Sequence, residues 1–362
     1  MIETIARIFY VLIALGVVIF IHELGHYLVA KKTGVKVEKF YLGMGPEIIG
    51  FDYKGTRYGL AAFPVGGMVK LSGEELPSET ARLEPGDFFY QPWYKRILIA
   101  LAGAVMNLIF AIMVFSMIIK LTGVSTPLDE PVVGSLRENM PAARAGLKEG
   151  DRILSVDGKS VKSWRELAEY IHSKPGVEIS LEVERPGKEK SDGGDLSYEK
   201  FKVVITPQKS NEAGGVGLIG INPPFKNEKA GWIRSVWLGV NKSWWMNYIT
   251  LAYLWESVTR ARKPELAGPV GIVGELAKAS KRGIAEFLGY LAIISNALAL
   301  FNLLPIPLLD GGLAALFIFE GISRRPLNEK FVSRINSVGL VFLLTIFVYA
   351  TYGDITRLFI SR

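Results

Sequence analysis

No cysteine occurs in the 362 residues, which excludes thiolate metal sites, cysteine nucleophiles and a disulfide-stapled fold. Histidine is almost as scarce, with three copies. Charge is thin as well: 21% of residues are Asp, Glu, Lys or Arg, against 49% in the apolar set. That balance excludes disorder, which needs low hydrophobicity, and no Gly-X-Y repeat suggests collagen. A formal net charge of +7 would suit a nucleic-acid binder, but no basic patch is interleaved with aromatics, so nucleic acid is not an expected partner.

The charges are missing in blocks. Residues 97–119, 287–309 and 335–353 contain no Asp, Glu, Lys or Arg, and each block is long enough to cross roughly 30 Å of hydrocarbon as a helix. A fourth stretch, 8–30, carries only His22, Glu23 and His26, besides Tyr10 and Tyr27, as ionisable groups. Core helices of soluble proteins rarely stay uncharged all round for so long. The chain therefore reads as a polytopic α-helical membrane protein with four transmembrane helices. The first stretch lacks a small-x-small cleavage site and reads as a retained span rather than a signal peptide. Basic groups stand beside the spans: Lys31, Lys32, Lys36 and Lys39; Lys95 and Arg96; Arg324, Arg325, Lys330 and Arg334. The positive-inside rule places all three groups in the cytoplasm, with both termini and the 121–286 connection outside.

His22-Glu23-Leu24-Gly25-His26 is H-E-x-x-H within a span. On a helix, positions i and i+4 share a face, so both imidazoles can bind one metal while Glu23 reaches a metal-bound water. The alternative is a histidine pair satisfied by backbone in a bundle, but ionisable groups at membrane depth are expensive and usually functional. A catalytic zinc site needs a third protein ligand and keeps its fourth position for water. Other carboxylates lie mostly in polar loops; Asp310 stands at the end of a span, in Asn302-Leu303-Leu304-Pro305-Ile306-Pro307-Leu308-Leu309-Asp310-Gly311-Gly312. The prolines and glycines require the helix to break there, which is tolerated at membrane depth where the backbone lines a cavity. Depth agrees too, provided 121–286 makes no single crossing. Glu23 lies about 10 Å below the cytoplasmic end at 1.5 Å per residue, and a third span running inward delivers Asp310 to the same half.

With these residues assembled, the chain resembles the site-2 protease family of intramembrane zinc metalloproteases, in its bacterial regulator-of-sigma-E protease branch. His22-Glu23-x-x-His26 and Leu309-Asp310-Gly311 carry the resemblance. Phe63-Pro64-Val65-Gly66-Gly67-Met68-Val69-Lys70 is similar to the family's membrane-associated β-hairpin, Gly268-Pro269-Val270-Gly271 to its motif before the third span, and Asn302-x-x-Pro305-x-Pro307-x-x-Asp310-Gly311 to its ligand span. One departure is Gly103-Ala104-x-x-Asn107, where the family usually has Gly-Pro-x-x-Asn; it bears on a local helix bend. The resemblance implies Zn2+ bound by His22, His26 and Asp310, with Glu23 as general base. Asn302 and Asn107 are neutral donors within spans that could hold a substrate strand or the oxyanion, or join helices. Gly66 and Gly67 would let an extended substrate approach the strand.

Residues 129–208 change character. Strand-like 132–136, a helix-turn-strand run over 141–158, an amphipathic helix over 164–173, and strands 177–183 and 201–205 closely resemble a permuted bacterial PDZ domain in a single copy. Such a domain pairs a peptide with a sheet edge or shields the site from bulky substrates; the intervening polar stretch 187–200 reads as mobile. The tryptophan-rich 232–258 reads as an interfacial amphipathic helix. The expected organisation is 1–123, an N-terminal membrane region with the β-hairpin; 124–210, an extracytoplasmic α+β PDZ domain; 211–283, a linker with the interfacial helix; and 284–362, a C-terminal membrane region. The expected activity is zinc endopeptidase action on single-span membrane proteins, such as an anti-sigma factor or signal-peptide remnant, in a bacterial cytoplasmic membrane. Its rivals are an inactive PDZ scaffold with a structural metal and a metal-gated transporter. Uncoordinated Glu23 argues against the first, and the absence of inverted repeats against the second.

Overall fold

The computed structural model describes residues 2–75, 82–187, 197–210, 215–260 and 267–360. They form two compact units, one of residues up to Leu121 and from Gly231 onward, the other Thr122–Ala230.

Helix α1 (Ile2–Thr33) ends where Gly34 turns to a φ of +89°. The Val35 N–H donates back to the Ala30 carbonyl at 2.9 Å, satisfying one of the carbonyls a helix end leaves open. Lys31 and Lys32 in the last turn complement the helix dipole. The chain then forms an antiparallel hairpin of β1 (Val37–Tyr53) and β2 (Thr56–Leu71). Its two-residue turn is Lys54-Gly55, with φ of +46° and +75°, the positive pair that matches strand twist. The base of the hairpin lies on α1. Tyr27 stacks on Phe40 with centroids 4.6 Å apart and shares a 2.7 Å hydrogen bond with Tyr58. A Cβ on Gly67 would stand 3.3 Å from the Phe20 Cα, and one on Gly16 only 2.6 Å from the Pro64 oxygen. Gly16, Phe20, Glu23 and Tyr27 thus make one hairpin-facing stripe. The far half leaves Met44, Ile48, Ile49, Phe51 and Phe63 exposed, an apolar patch that suits lipid.

Helix α2 (Trp93–Thr122) runs without interruption through Gly103 and Ala104, where a proline would have bent it. It crosses α1 closely: a Cβ on Gly25 would lie 2.3 Å from the Ala102 carbonyl oxygen.

The second unit contains β3 (Val124–Pro127), β4 (Ser135–Leu136), α3 (Pro141–Arg144), β5 (Arg152–Val156), β6 (Lys159–Ser160), α4 (Trp164–His172), β7 (Ile179–Pro186), β8 (Tyr198–Ile205), β9 (Gln208–Lys209), β10 (Gly217–Leu218), β11 (Ile221–Asn222) and β12 (Phe225–Glu228). Its main sheet is antiparallel in the order β6-β5-β7-β8. Leu167 and Ile171 of α4 share a core with Ile153, Leu181 and Val183. Ser163 caps α4 by accepting from the Glu166 N–H at 3.2 Å. Asp151, fully buried, accepts from Arg185 at 2.7 and 2.8 Å and from the Lys148 N–H at 2.8 Å. That network fixes the glycine-rich turn before β5 and holds the Arg185 guanidinium firmly protonated. The expected strand over 132–136 is reduced to a bridge at Val132 and the two-residue β4. Most of the polar stretch 187–200 lies outside the described residues, and β8 already begins at Tyr198. The unit also runs past residue 210, because β11 pairs with β4 and β12 returns to β3.

The chain continues as α5 (Trp232–Thr259), α6 (Pro269–Arg282), α7 (Ile284–Leu303), α8 (Asp310–Ser323) and α9 (Glu329–Ile360). Helix α5 buries a narrow face of Ser235, Gly239 and Ser243 and leaves Trp232, Trp237, Trp244, Trp245 and Trp255 exposed by 60–75%. Among the described residues four helices are long and apolar enough to cross a membrane, Val11–Thr33, Trp93–Thr122, Ile284–Leu303 and Glu329–Arg357. The charge-free block 287–309 is therefore not one span. Helix α7 stops at Leu303, because Pro305 and Pro307 have no N–H to continue it, and α8 starts anew at Asp310.

Candidate metal centre

One turn of α1 separates His22 from His26, and their Nε2 atoms lie 3.1 Å apart. The break between α7 and α8 brings Asp310 to the same point. Its Oδ2 is 3.2 Å from His22 Nε2, and its Oδ1 is 3.7 Å from His26 Nε2. Asp310 is aimed by a short irregular turn in which Leu308 takes a left-handed φ of +73°, a conformation a bulky residue adopts only where its surroundings impose it. Gly311 and Gly312 let α8 start hard against that turn: a Cβ on either would stand 2.3 Å from Leu304 O or 2.1 Å from Ile306 O.

The donor set fits zinc. One candidate ligand atom from each residue, all within 4.8 Å of one another, form a metal-competent group among the described residues. Asp310 Oδ2 is buried without a hydrogen-bond partner. Two imidazole lone pairs and a carboxylate converging on one point repel each other unless a cation lies between them. Two nitrogens and one oxygen leave a fourth tetrahedral position for water.

Glu23 is adjacent to this group and outside it. The backbone N–H of Val69 faces its carboxylate, and a Cβ on Gly67 would lie 3.4 Å from its Cγ. Gly66, at a φ of +84°, and Gly67 therefore bring β2 against α1 beside Glu23. Asn302 is buried in the last turn of α7. Asn107 is wholly buried on α2, with its Nδ2 3.3 Å from His22 Nδ1.

Sequence reasoning assigns none of three further contributors to the site, although Gly103 stands in a motif read for helix bending and Arg96 in a basic group read for topology. The Ile99 carbonyl oxygen lies 2.7 Å from His26 Nδ1, and a backbone oxygen leaves no mark on composition. At Gly103 a Cβ would stand 2.4 Å from His26 Nε2 and 2.7 Å from His22 Nε2. Arg96 of α2 pairs with Glu320 of α8, two residues that nothing in their local patterns connects.

A buried two-histidine, one-carboxylate site with a free glutamate beside it, set among apolar helices, defines a membrane-embedded metallopeptidase. The chain belongs to Peptidase family M50, the site-2 protease family, whose model matches residues 10–346. A Clostridium acetobutylicum protein whose name places it among zinc metalloproteases is 34% identical over 345 residues, covering 95% of this chain and 96% of its own. The zinc metalloprotease RasP of Geobacillus kaustophilus is 26% identical over 437 residues, covering 99% of this chain and 100% of its own. A match to the PDZ domain of an SdrC-like protein from Listeria monocytogenes, at 30% identity, covers 27% of this chain and 90% of that one with a TM-score of 0.19. The protein is a zinc metalloendopeptidase with, among the described residues, four helices long and apolar enough to cross a membrane.

Proposed function

We propose that this chain cuts within the transmembrane segments of single-span membrane proteins of the anti-sigma-factor or signal-peptide-remnant type, in the bacterial cytoplasmic membrane. The observation that carries the reading is the convergence of His22, His26 and Asp310, two of them on a helix long and apolar enough to cross a membrane, with Glu23 beside them and outside the group. A scaffold with a structural metal has no use for such a carboxylate.

His22 and His26 would bind zinc through Nε2, and Asp310 through its carboxylate. When bound, the metal supplies a water acidic enough to act near neutral pH and a charge sink for the scissile carbonyl oxygen. Glu23 takes the proton of the attacking water and returns it to the departing amine. A helical peptide bond is a poor substrate because its carbonyl is already engaged four residues on. The protein must hold an unwound segment beside Glu23, and β2 around Gly66 and Gly67 is placed to pair with it through main-chain hydrogen bonds. Val69 is not free for that task, since its N–H faces Glu23. Asn302 is a neutral donor suited to steadying the same segment. The Thr122–Ala230 unit, read as a PDZ domain outside the membrane, would admit only substrates whose outer portion has been trimmed. The tryptophan face of α5 would lie at headgroup level.

The test is co-expression with candidate single-span anti-sigma factors and signal-peptide remnants. A membrane-segment fragment should appear with the wild type and be absent with Glu23→Gln.

A further inference from the structure

Each imidazole that binds a metal through Nε2 carries its remaining proton on Nδ1 and needs an acceptor there, which fixes both tautomer and ring orientation. For His26 that acceptor is the Ile99 carbonyl oxygen at 2.7 Å. For His22 the group facing Nδ1 is the Asn107 amide, at 3.3 Å through Nδ2. With zinc on Nε2, that orientation sets donor against donor. The Asn107 Oδ1, meanwhile, is buried without a hydrogen-bond partner. Amide oxygen and nitrogen are interchangeable in shape and are assigned from their partners. Exchanging them gives His22 Nδ1–H an acceptor and gives the stranded oxygen a donor.

We propose that Asn107 is the positioning residue for His22: its amide oxygen accepts from Nδ1–H and holds Nε2 toward the metal. The proposal rests on the ligand assignment above. Ile99, Gly103 and Asn107 recur every four residues on α2, so they form one stripe along one face. Because the face of α2 that meets α1 presents Ile99 to His26 and Asn107 to His22, a single helix orients both rings. Gly103 lies between, where any Cβ would enter the imidazoles. Asn107 is itself tied down, its backbone oxygen accepting from Ser295 Oγ of α7 at 2.9 Å. The Gly103-x-x-x-Asn107 spacing thus has a physical purpose unrelated to helix bending, and it survives the replacement of proline by Ala104. At full burial, Asn107 serves this role better than contact with substrate.

The experiment measures zinc affinity by chelator competition on the full-length protein in detergent, with absorption of the cobalt-substituted form as a second readout. Asn107→Leu should weaken zinc binding about 10- to 100-fold, the usual cost of losing an outer hydrogen bond to a metal ligand, and alter the cobalt spectrum. Asn107→Asp keeps an acceptor and should stay within a few-fold of wild type. Ser295→Ala, which touches the Asn107 backbone but neither histidine, should bind like wild type. Wild-type affinity in Asn107→Leu would overturn the proposal. So would equal losses in Asn107→Asp or Ser295→Ala, which would mean packing alone. His22→Ala separates the two layers: if it kept zinc, the ligand assignment itself would fall, whereas loss there with retention in Asn107→Leu would remove only the role of Asn107.

Discussion

Arg96 and Glu320 form a two-pronged ion pair, Nη1 to Oε2 at 3.0 Å and Nη2 to Oε1 at 2.5 Å, that joins α2 to α8. Arg96 is almost wholly buried, its guanidinium lies over the rings of Phe89 and Phe317, and its Nε donates to the Gln91 carbonyl at 3.0 Å. Helix α8 begins with Asp310, while α2 carries the partners of both histidines. The pair therefore sets the helix that carries Asp310 against the helix whose Ile99 and Asn107 meet the two histidines.

Glu320→Ala leaves a buried guanidinium without its carboxylate, at a cost of about 3–5 kcal/mol. It should lower the thermal midpoint by several degrees and reduce zinc occupancy. Arg96→Met combined with Glu320→Leu should recover much of the stability, since an apolar pair of similar volume is often neutral. Scanning fluorimetry alongside metal analysis decides the matter, and an unchanged midpoint in the single variant would show that the pair does not hold α8.

Gly103→Ala adds one methyl group, yet that carbon would stand 2.4 Å from His26 Nε2. The helix itself should gain slightly from the alanine, so the protein should fold. Zinc content after purification should drop at least tenfold. Stoichiometric zinc in this variant would mean that α1 and α2 can separate without loss of the site.

The proposal that the hairpin presents substrate can be tested apart from zinc binding at Gly67. A Cβ there would stand 3.1 Å from the Tyr41 oxygen and 3.3 Å from the Phe20 Cα, so valine must push β2 away from α1. Cleavage by Gly67→Val should fall by an order of magnitude or more while zinc stays bound. Substrate spans containing Gly, Pro or Asn should also be cut faster than poly-Leu spans, because they unwind at lower cost. Equal cleavage of both spans, with full activity in Gly67→Val, would refute strand presentation.

Orientation is testable by labelling single cysteines in this cysteine-free chain. A cysteine at Lys159, exposed in the Thr122–Ala230 unit, should react from outside the cell and one at Arg325 only after permeabilisation. The reverse pattern would overturn the positive-inside reading and the outer siting of that unit together.

What was legible in the sequence was legible through periodicity and length. Helical spacing alone puts His22 and His26 on one face, and the three charge-free blocks together with the stretch 8–30 each overlap one of the four apolar helices among the described residues. The block 287–309 was misleading because apolar content does not distinguish helix from the irregular turn that follows Leu303; Pro305 and Pro307 do, and they mark where α7 stops. The Thr122–Ala230 unit outran its expected end because β11 and β12 are two and four residues long and make sense only beside β4 and β3, about a hundred residues earlier. Asn107 was visible as a polar residue in a span, but its partner was not, since the contact with His22 bridges 85 positions.

The central claim is that Glu23 performs the proton transfer while His22, His26 and Asp310 hold the metal. The most direct measurement pairs zinc content with cleavage of a transmembrane substrate in the purified Glu23→Gln protein. The account predicts one zinc per chain, as in the wild type, with cleavage reduced beyond detection. Cleavage at the wild-type rate with zinc in place would contradict it.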